Sequence, residues 1–218
     1  MIALRSLALA VVLVPTLARG DDTAMALMQI QMGCPAISAD GKHVAIFSLS
    51  PGTDKDAKTS LVVFDGTTPG PRISIVPPIK DAARAKAAAD KIGKLLADGK
   101  YQRMSRVSRV SGKAVRHDSA TAPAPSMSEQ LASEDVVIDV GVADRKVELA
   151  PTRAGKKLAA IHLALPAKDG PCKSLVGYSI ANTAAGFDAK TGLFAFSVLI
   201  EQDGGSICFS HDYVVTVK

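Results

Sequence analysis

Apolar and polar positions alternate over most of this chain, and the period changes decisively only once. Residues 36–38, 42–49 and 60–65 are rich in β-branched and aromatic side chains and are bounded by Asp40-Gly41, Pro51-Gly52 and Asp65-Gly66, which predicts strands ending in turns. Residues 72–76 add a short fourth strand closed by Pro77-Pro78. From 80 to 98, Ala85, Ala88, Ala89, Ile92, Leu95 and Leu96 recur at three- and four-residue spacing among lysines and aspartates, the period of an amphipathic helix. Its Ile92, Leu95 and Leu96 are expected against a sheet with the lysines outward. Gly99 is expected to end it by taking the left-handed conformation open to glycine. Residues 101–110 again read as strand. The Ser-, Ala- and Pro-rich stretch 111–127, with Ala122-Pro123-Ala124-Pro125, reads as a linker. Ser126 to Glu129 has the form of a capping box, which predicts one helical turn before Leu131. Strand patterns resume at 136–142, 146–149, 158–165, 175–181, 193–201 and 206–217. The fold class expected is α+β, mainly antiparallel β-sheets with one long amphipathic helix. Its two halves, 21–110 with the hairpins and helix and a β-rich 128–218, meet at the linker 111–127.

The first twenty residues follow a different rule. Arg5 precedes an apolar run from Leu7 to Val14, then Pro15 and Ala18-Arg19-Gly20 ahead of Asp21-Asp22. Small residues at 18 and 20 are what a signal peptidase inspects, so 1–20 reads as a secretory signal cleaved near Gly20. The uncharged stretch from Ser6 to Ala18 has 13 residues, short of the ~20 that cross a bilayer. No transmembrane segment is expected in the mature chain, whose location is the periplasm or the extracellular space. Outside the cytoplasm paired thiols oxidise and stay oxidised. Of the three cysteines, Cys172 precedes one strand and Cys208 lies in the last hairpin, with 35 residues between them. A Cys172 to Cys208 disulfide is the pairing expected, closing a loop worth about 3 to 4 kcal/mol. Cys34 is then the free thiol, and spacing alone leaves a Cys34 bond to either of the others open.

At Pro35-Ala36-Ile37-Ser38-Ala39-Asp40-Gly41-Lys42-His43-Val44-Ala45-Ile46-Phe47 the chain resembles the hairpin of the WD40-like blade repeat of TolB-type periplasmic propellers. That repeat runs Pro-x-apolar-Ser-Pro-Asp-Gly-Lys-x-apolar-Ala-apolar. The resemblance covers about 35–65, with Ala39 where the family has Pro, and implies a hairpin turned by Asp40-Gly41 with no catalytic residue in it. A propeller needs at least four blades of about 40 residues, so a complete propeller is not expected. The layout of short strands, one helix and a cysteine-containing terminal hairpin also resembles small exported bacterial proteins of unknown function.

Composition and charge narrow the chemistry. Of 218 residues, 47% are hydrophobic and 4% aromatic, without Trp, a globular composition poor in the rings that stack on nucleobases. No phosphate loop, His-Glu-x-x-His, Cys-x-x-Cys, Gly-x-Ser-x-Gly or Ser-x-x-Lys motif is present, which weighs against the common hydrolase and nucleotide-binding classes. Asp54 and Asp56 share their loop with Lys55 and Lys58, where a calcium loop wants oxygen ligands. Cys208 and His211, with Asp212 adjacent, point to opposite faces of a regular strand, which argues against a Cys-His pair or a metal site. His162 falls opposite Ile161, Leu163 and Leu165 on its strand and is expected in solvent, as are His43 and His117. No cofactor, metal or catalytic residue is assigned.

Charge is uneven. Between Lys80 and Arg116 stand eleven Lys/Arg and three Asp, although the whole chain carries only +5. Arg103, Arg106, Arg109, Lys113 and Arg116 form a run without an acidic residue, which reads either as a polyanion-binding patch or as a solvated face. The function expected is an exported, non-enzymatic binding or interaction module of the cell envelope or secretome. Its partner is unidentified, a polyanion or another envelope protein. The alternative is an exported hydrolase with a site assembled from scattered residues.

Overall fold

The computed structural model describes residues 20–50, 58–75, 80–117, 123–166, 175–181, 184–202 and 207–218. These hold two helices and antiparallel strands in three sheets. After helix α1 (Gly20–Gly33), strands β1 (Ala36–Ile37), β2 (His43–Ser50), β3 (Lys58–Asp65) and β4 (Thr68–Ile75) form a meander. Helix α2 (Ala82–Asp98) follows, and β5 (Gln102–Arg103) completes the first sheet in the order β4-β3-β2-β1-β5. The next two strands leave it for different sheets. β6 (Ser105–Arg106) joins the middle sheet and β7 (Ser108–Val115) the third. The third sheet continues with β8 (Ser126–Ser133), β9 (Val136–Ala143), β10 (Lys146–Arg153), β11 (Lys156–Lys157) and β12 (Ile161–Ala164), the last two pairing with opposite ends of β10. The chain then returns to the middle sheet as β13 (Gly177–Ile180), β14 (Gly186–Asp188), β15 (Leu193–Glu201) and β16 (Ile207–Thr216). Here β15 is the spine, with β13 and β14 along one edge and β16 along the other.

Side-chain alternation stacks these sheets. On β15, Phe194, Phe196, Val198 and Ile200 face the third sheet and meet Leu131, Ile138, Val140 and Leu149 there. Leu193 and Ala195, on the opposite face, meet Val44, Ile46, Val62 and Phe64 of the first sheet. The far face of the first sheet buries Ala45, Leu61, Val63 and Ile73 under Leu27 of α1 and Ala88, Ala89 and Ile92 of α2. The order is therefore helices, first sheet, middle sheet, third sheet, with the outer face of the third sheet in solvent. Both faces of β15 are covered, so its nine residues read as an almost unbroken apolar run rather than an alternation.

Helix α2 starts at Asp81, whose carboxylate accepts the Arg84 N–H at 2.9 Å, and it buries Ala85, Ala88, Ala89 and Ile92. Leu95 and Leu96 pack half-buried on the same cluster. Gly99 ends the helix for a different reason than the one expected: its φ is −79°, and Lys100 takes the left-handed conformation at φ 47°. A Cβ at Gly99 would run into the Tyr101 ring, so glycine is needed for room rather than for handedness. In the 35–47 hairpin Gly41 is left-handed at φ 73°, and Asp40 closes the turn by accepting from Ser38 Oγ at 2.5 Å and Lys42 N at 3.1 Å.

Three further expectations are corrected. The linker 111–127 is largely strand where described, since β7 and β8 pair from Ser108↔Ala132 to Val115↔Ser126. The capping-box segment Ser126 to Glu129 is extended within β8, because Met127, Glu129 and Leu131 all turn to the buried face at period two. Among the described residues there are two helices rather than one: α1 has no amphipathic signal in its sequence and carries Met25, Met28 and Met32 more than half exposed. Residues 1–19, the 51–57 loop with Asp54 and Asp56, and Cys172 lie outside the described residues, as does the side chain of Cys208. So do the cleavage site's upstream half and the Cys172 to Cys208 pairing. Cys34 is a free, buried thiol, its pKa pushed up to about 12 by burial against the opposing pull of Arg103. None of the described helices is long and apolar enough to cross a membrane.

Candidate functional site

The middle sheet is narrower than its neighbours at the β16 edge, and that difference makes a groove. Its volume is about 430 Å³. Phe64, Thr67 and Pro69 of the β3–β4 hairpin form one wall and Ile161 and Leu163 of β12 the other, while the floor is β16 from His211 to Thr216. With sheets stacked about 10 Å apart, the two walls stand where a further strand of the middle sheet would place its side chains.

The floor has a defined polarity. Val217 donates its N–H to Gly192 O at 2.7 Å, one step beyond the Leu193↔Thr216 pair at which the β15–β16 ladder ends. Bonding to one neighbour alternates along an antiparallel strand. Val215, Tyr213 and His211 therefore turn their backbone groups toward β15, whereas Thr216, Val214 and Asp212 turn theirs into the groove. Those three residues' N–H and C=O groups meet no hydrogen-bond partner among the described residues.

Side chains follow the same alternation. His211 and Tyr213 lie on the face toward the third sheet, their rings edge-on with centroids 4.7 Å apart. The Tyr213 hydroxyl donates to Ala164 O at 3.0 Å, tying β16 to β12. Burial holds the His211 imidazole below the usual histidine range; Asp212 acts against that effect and Arg72 with it. Burial also raises the Tyr213 phenol well above its ordinary value. Asp212 points the other way, toward the first sheet, only 7% exposed. It accepts from Ser197 Oγ at 2.7 Å through Oδ1, and its Oδ2 finds no donor among the described residues. Adjacent in sequence, His211 and Asp212 thus serve opposite interfaces and form no dyad. A separate void of about 10 Å³, lined by Cys34, Phe47, Ser197 and Ser210, lies between α1 and the middle sheet. Among the described residues no cluster of three or more His, Cys, Asp or Glu is arranged to hold a metal ion.

The basic run crosses all three sheets. Arg103 is on β5, Arg106 on β6 and Arg109 and Lys113 on β7, with Arg116 just beyond, all exposed. The segment is a strap stitched along the edges of the stack, so each arginine of the first three belongs to a different layer. Two of the five are engaged: Arg109 Nη1 lies 3.4 Å from Glu129 Oε1, and Arg116 pairs with Glu201. Burial raises the Glu129 carboxyl above its ordinary range, with Arg109 pulling it back. His162 and His43 reach solvent as expected; His43 lies 3.8 Å from both Asp40 and Asp65. His117 Nδ1 lies 3.2 Å from Pro123 O.

Reading the chain alone singles out His211 and Asp212 but for the wrong neighbour, Cys208, and it misses the groove. Ile161 and Leu163 are recognisable as one face of a strand, and Thr67 and Pro69 as a turn, yet nothing in their spacing ties them to β16. The one local signal is the buried character of both faces of β16, which marks a strand of the middle layer. Comparison with known protein families, with characterised proteins and with solved structures yields no match to this chain, so the groove and the strap stand on their geometry alone.

Proposed function

We propose that this chain is an exported, non-enzymatic binding module of the cell envelope or secretome, and that its ligand lies in the groove along β16. One observation carries the reading: Phe64, Pro69, Ile161 and Leu163 wall a groove of about 430 Å³ whose floor offers unpartnered backbone donors and acceptors. Apolar walls supply area, and a few polar groups in fixed positions supply orientation. Export rests on the charged, apolar and small-residue order of 1–20, and the Cys172 to Cys208 disulfide belongs to the same reading. In it α2 is the amphipathic cover of the first sheet, and the blade-like hairpin at 35–65 supplies a wall and no chemistry.

The test is 8-anilinonaphthalene-1-sulfonate, an apolar fluorophore bearing one anionic group. The native protein should enhance its emission. A Thr67→Glu, Pro69→Glu double variant changes two exposed wall residues and should lose most of the enhancement with its melting temperature unchanged. Equal enhancement by both proteins, or none by the native protein, would remove the groove as the site.

A second surface of the same module is the strap, favoured by the exposure of Arg103, Arg106 and Lys113 without a carboxylate partner among the described residues. Its ligand would be a polyanion, held with steep salt dependence.

A further inference from the structure

Resting on the groove reading, we propose that the occupant is an extended segment of a partner polypeptide that adds to β16 as a further strand of the middle sheet. The floor decides the backbone. Asp212, Val214 and Thr216 present N–H and C=O groups along one strand edge, at the two-residue repeat that an extended chain matches with its own donors and acceptors. A compact apolar ligand would fill the walls and leave those groups desolvated and unpaired, which is costly.

The walls decide the side chains. Successive residues of an added strand point to opposite faces, so one set would meet Phe64 and Pro69 and the alternate set Ile161 and Leu163. Both walls are apolar, and the segment should carry apolar or β-branched residues on both faces. Open strand edges invite indiscriminate pairing and are normally short, charged or covered. This one is recessed between two walls, which admits a single extended chain and keeps a broad sheet edge out.

The probe is the peptide acetyl-Glu-Val-Thr-Val-Ile-Val-Thr-amide, with an otherwise identical peptide N-methylated at alternate amides, tested for displacement of the bound fluorophore and for hydrogen exchange. The first peptide should displace the fluorophore and slow exchange of the Asp212, Val214 and Thr216 amides about tenfold or more near saturation. The methylated one, which fills the walls and pairs only in part, should bind about tenfold more weakly. Thr216→Pro removes one outward-facing N–H at an exposed edge position where proline is tolerated. It should keep the native melting temperature and lose about fivefold or more in peptide affinity. Three results overturn the inference while leaving the groove reading intact: equal binding of both peptides, fluorophore binding that the first peptide does not displace, or displacement without amide protection. A native protein that dimerises through β16, with Thr216→Pro monomeric, would make the occupant a second copy and equally overturn the partner segment. Absence of fluorophore binding refutes the groove reading itself.

Discussion

The middle sheet buries two faces that differ in kind. Toward the third sheet β15 and β16 present Phe194, Phe196, Val198, Tyr213 and Val215, with Phe194 and Phe196 stacked at 5.0 Å and Phe196 and Tyr213 at 5.2 Å between centroids. Toward the first sheet the same strands present Leu193, Ala195 and Val214 at one end and Ser197, Ser210 and Asp212 at the other, opposite Ser48 and Ser60. The first interface has large rings and a continuous apolar surface. The second is made of smaller side chains and turns polar along its length, with hydroxyls and a carboxylate that must satisfy one another. The aromatic interface holds the stack together, whereas the mixed one sets how the first sheet, and with it the Phe64 and Pro69 wall, sits over β16.

The largest expected effect tests the aromatic side. Phe196→Ala should lower the unfolding free energy by about 3 to 5 kcal/mol in urea denaturation, because the ring is fully buried and its neighbours on two strands cannot collapse into the space. A loss below about 1 kcal/mol would mean that the two interfaces contribute alike.

The polar side should behave differently. Ser197→Ala leaves Asp212 Oδ1 without its donor and should cost about 1 to 3 kcal/mol. Adding Asp212→Val should return stability to within about 1 kcal/mol of native, since removing both partners abolishes the unmet need. If the double variant is as unstable as the sum of its parts, the carboxylate has a structural role that the Ser197 bond does not describe.

A smaller effect sharpens the boundary of the aromatic interface, where Glu129 stands on the buried face of β8. Its carboxyl is raised in the folded protein chiefly by burial, so the folded state holds the proton to higher pH than the unfolded chain does. Its contribution to stability is present at low pH and falls as pH rises through the folded value. Glu129→Gln should therefore flatten the decline and leave the protein more stable at neutral pH, with little change near about pH 4. The gain should stay under about 1 kcal/mol because the Arg109 guanidinium, 3.4 Å from Glu129 Oε1, already offsets part of the burial cost. Melting temperatures across pH decide it, and a variant less stable than native at neutral pH would show that the Arg109 pair outweighs burial.

Per position, the smallest effect on stability belongs to the strap. Changing Arg103, Arg106, Arg109, Lys113 and Arg116 to Gln should alter stability by only about 0.5 kcal/mol per position or less, while weakening retention on heparin at low salt. Equal retention of native and variant would reduce the strap to a solvated face and leave the β16 groove as the one proposed site.

Alternation and helical period by themselves marked β15, which spans the residues of its apolar run, and α2, whose Ile92 is buried as its spacing requires. Local chemistry also marked the Asp40-Gly41 turn and the cluster of basic residues. Only the tertiary structure decided where those strands stack. Glu129 in β8 pairs with β7 through a stretch that reads as linker, because Ser and Ala are permissive of several conformations and the ladder selects one. Gly99 shows the same limit, since its reason is the Tyr101 ring. The groove lies furthest from sequence reading. Its walls are 64–69 and 161–163 and its floor is 211–216, and they meet because the middle sheet ends at β16 while the sheets on either side continue. Periodicity records which face of a strand is buried, but the edge at which a sheet stops depends on pairing between distant strands, whose contacts leave no period in any one of them.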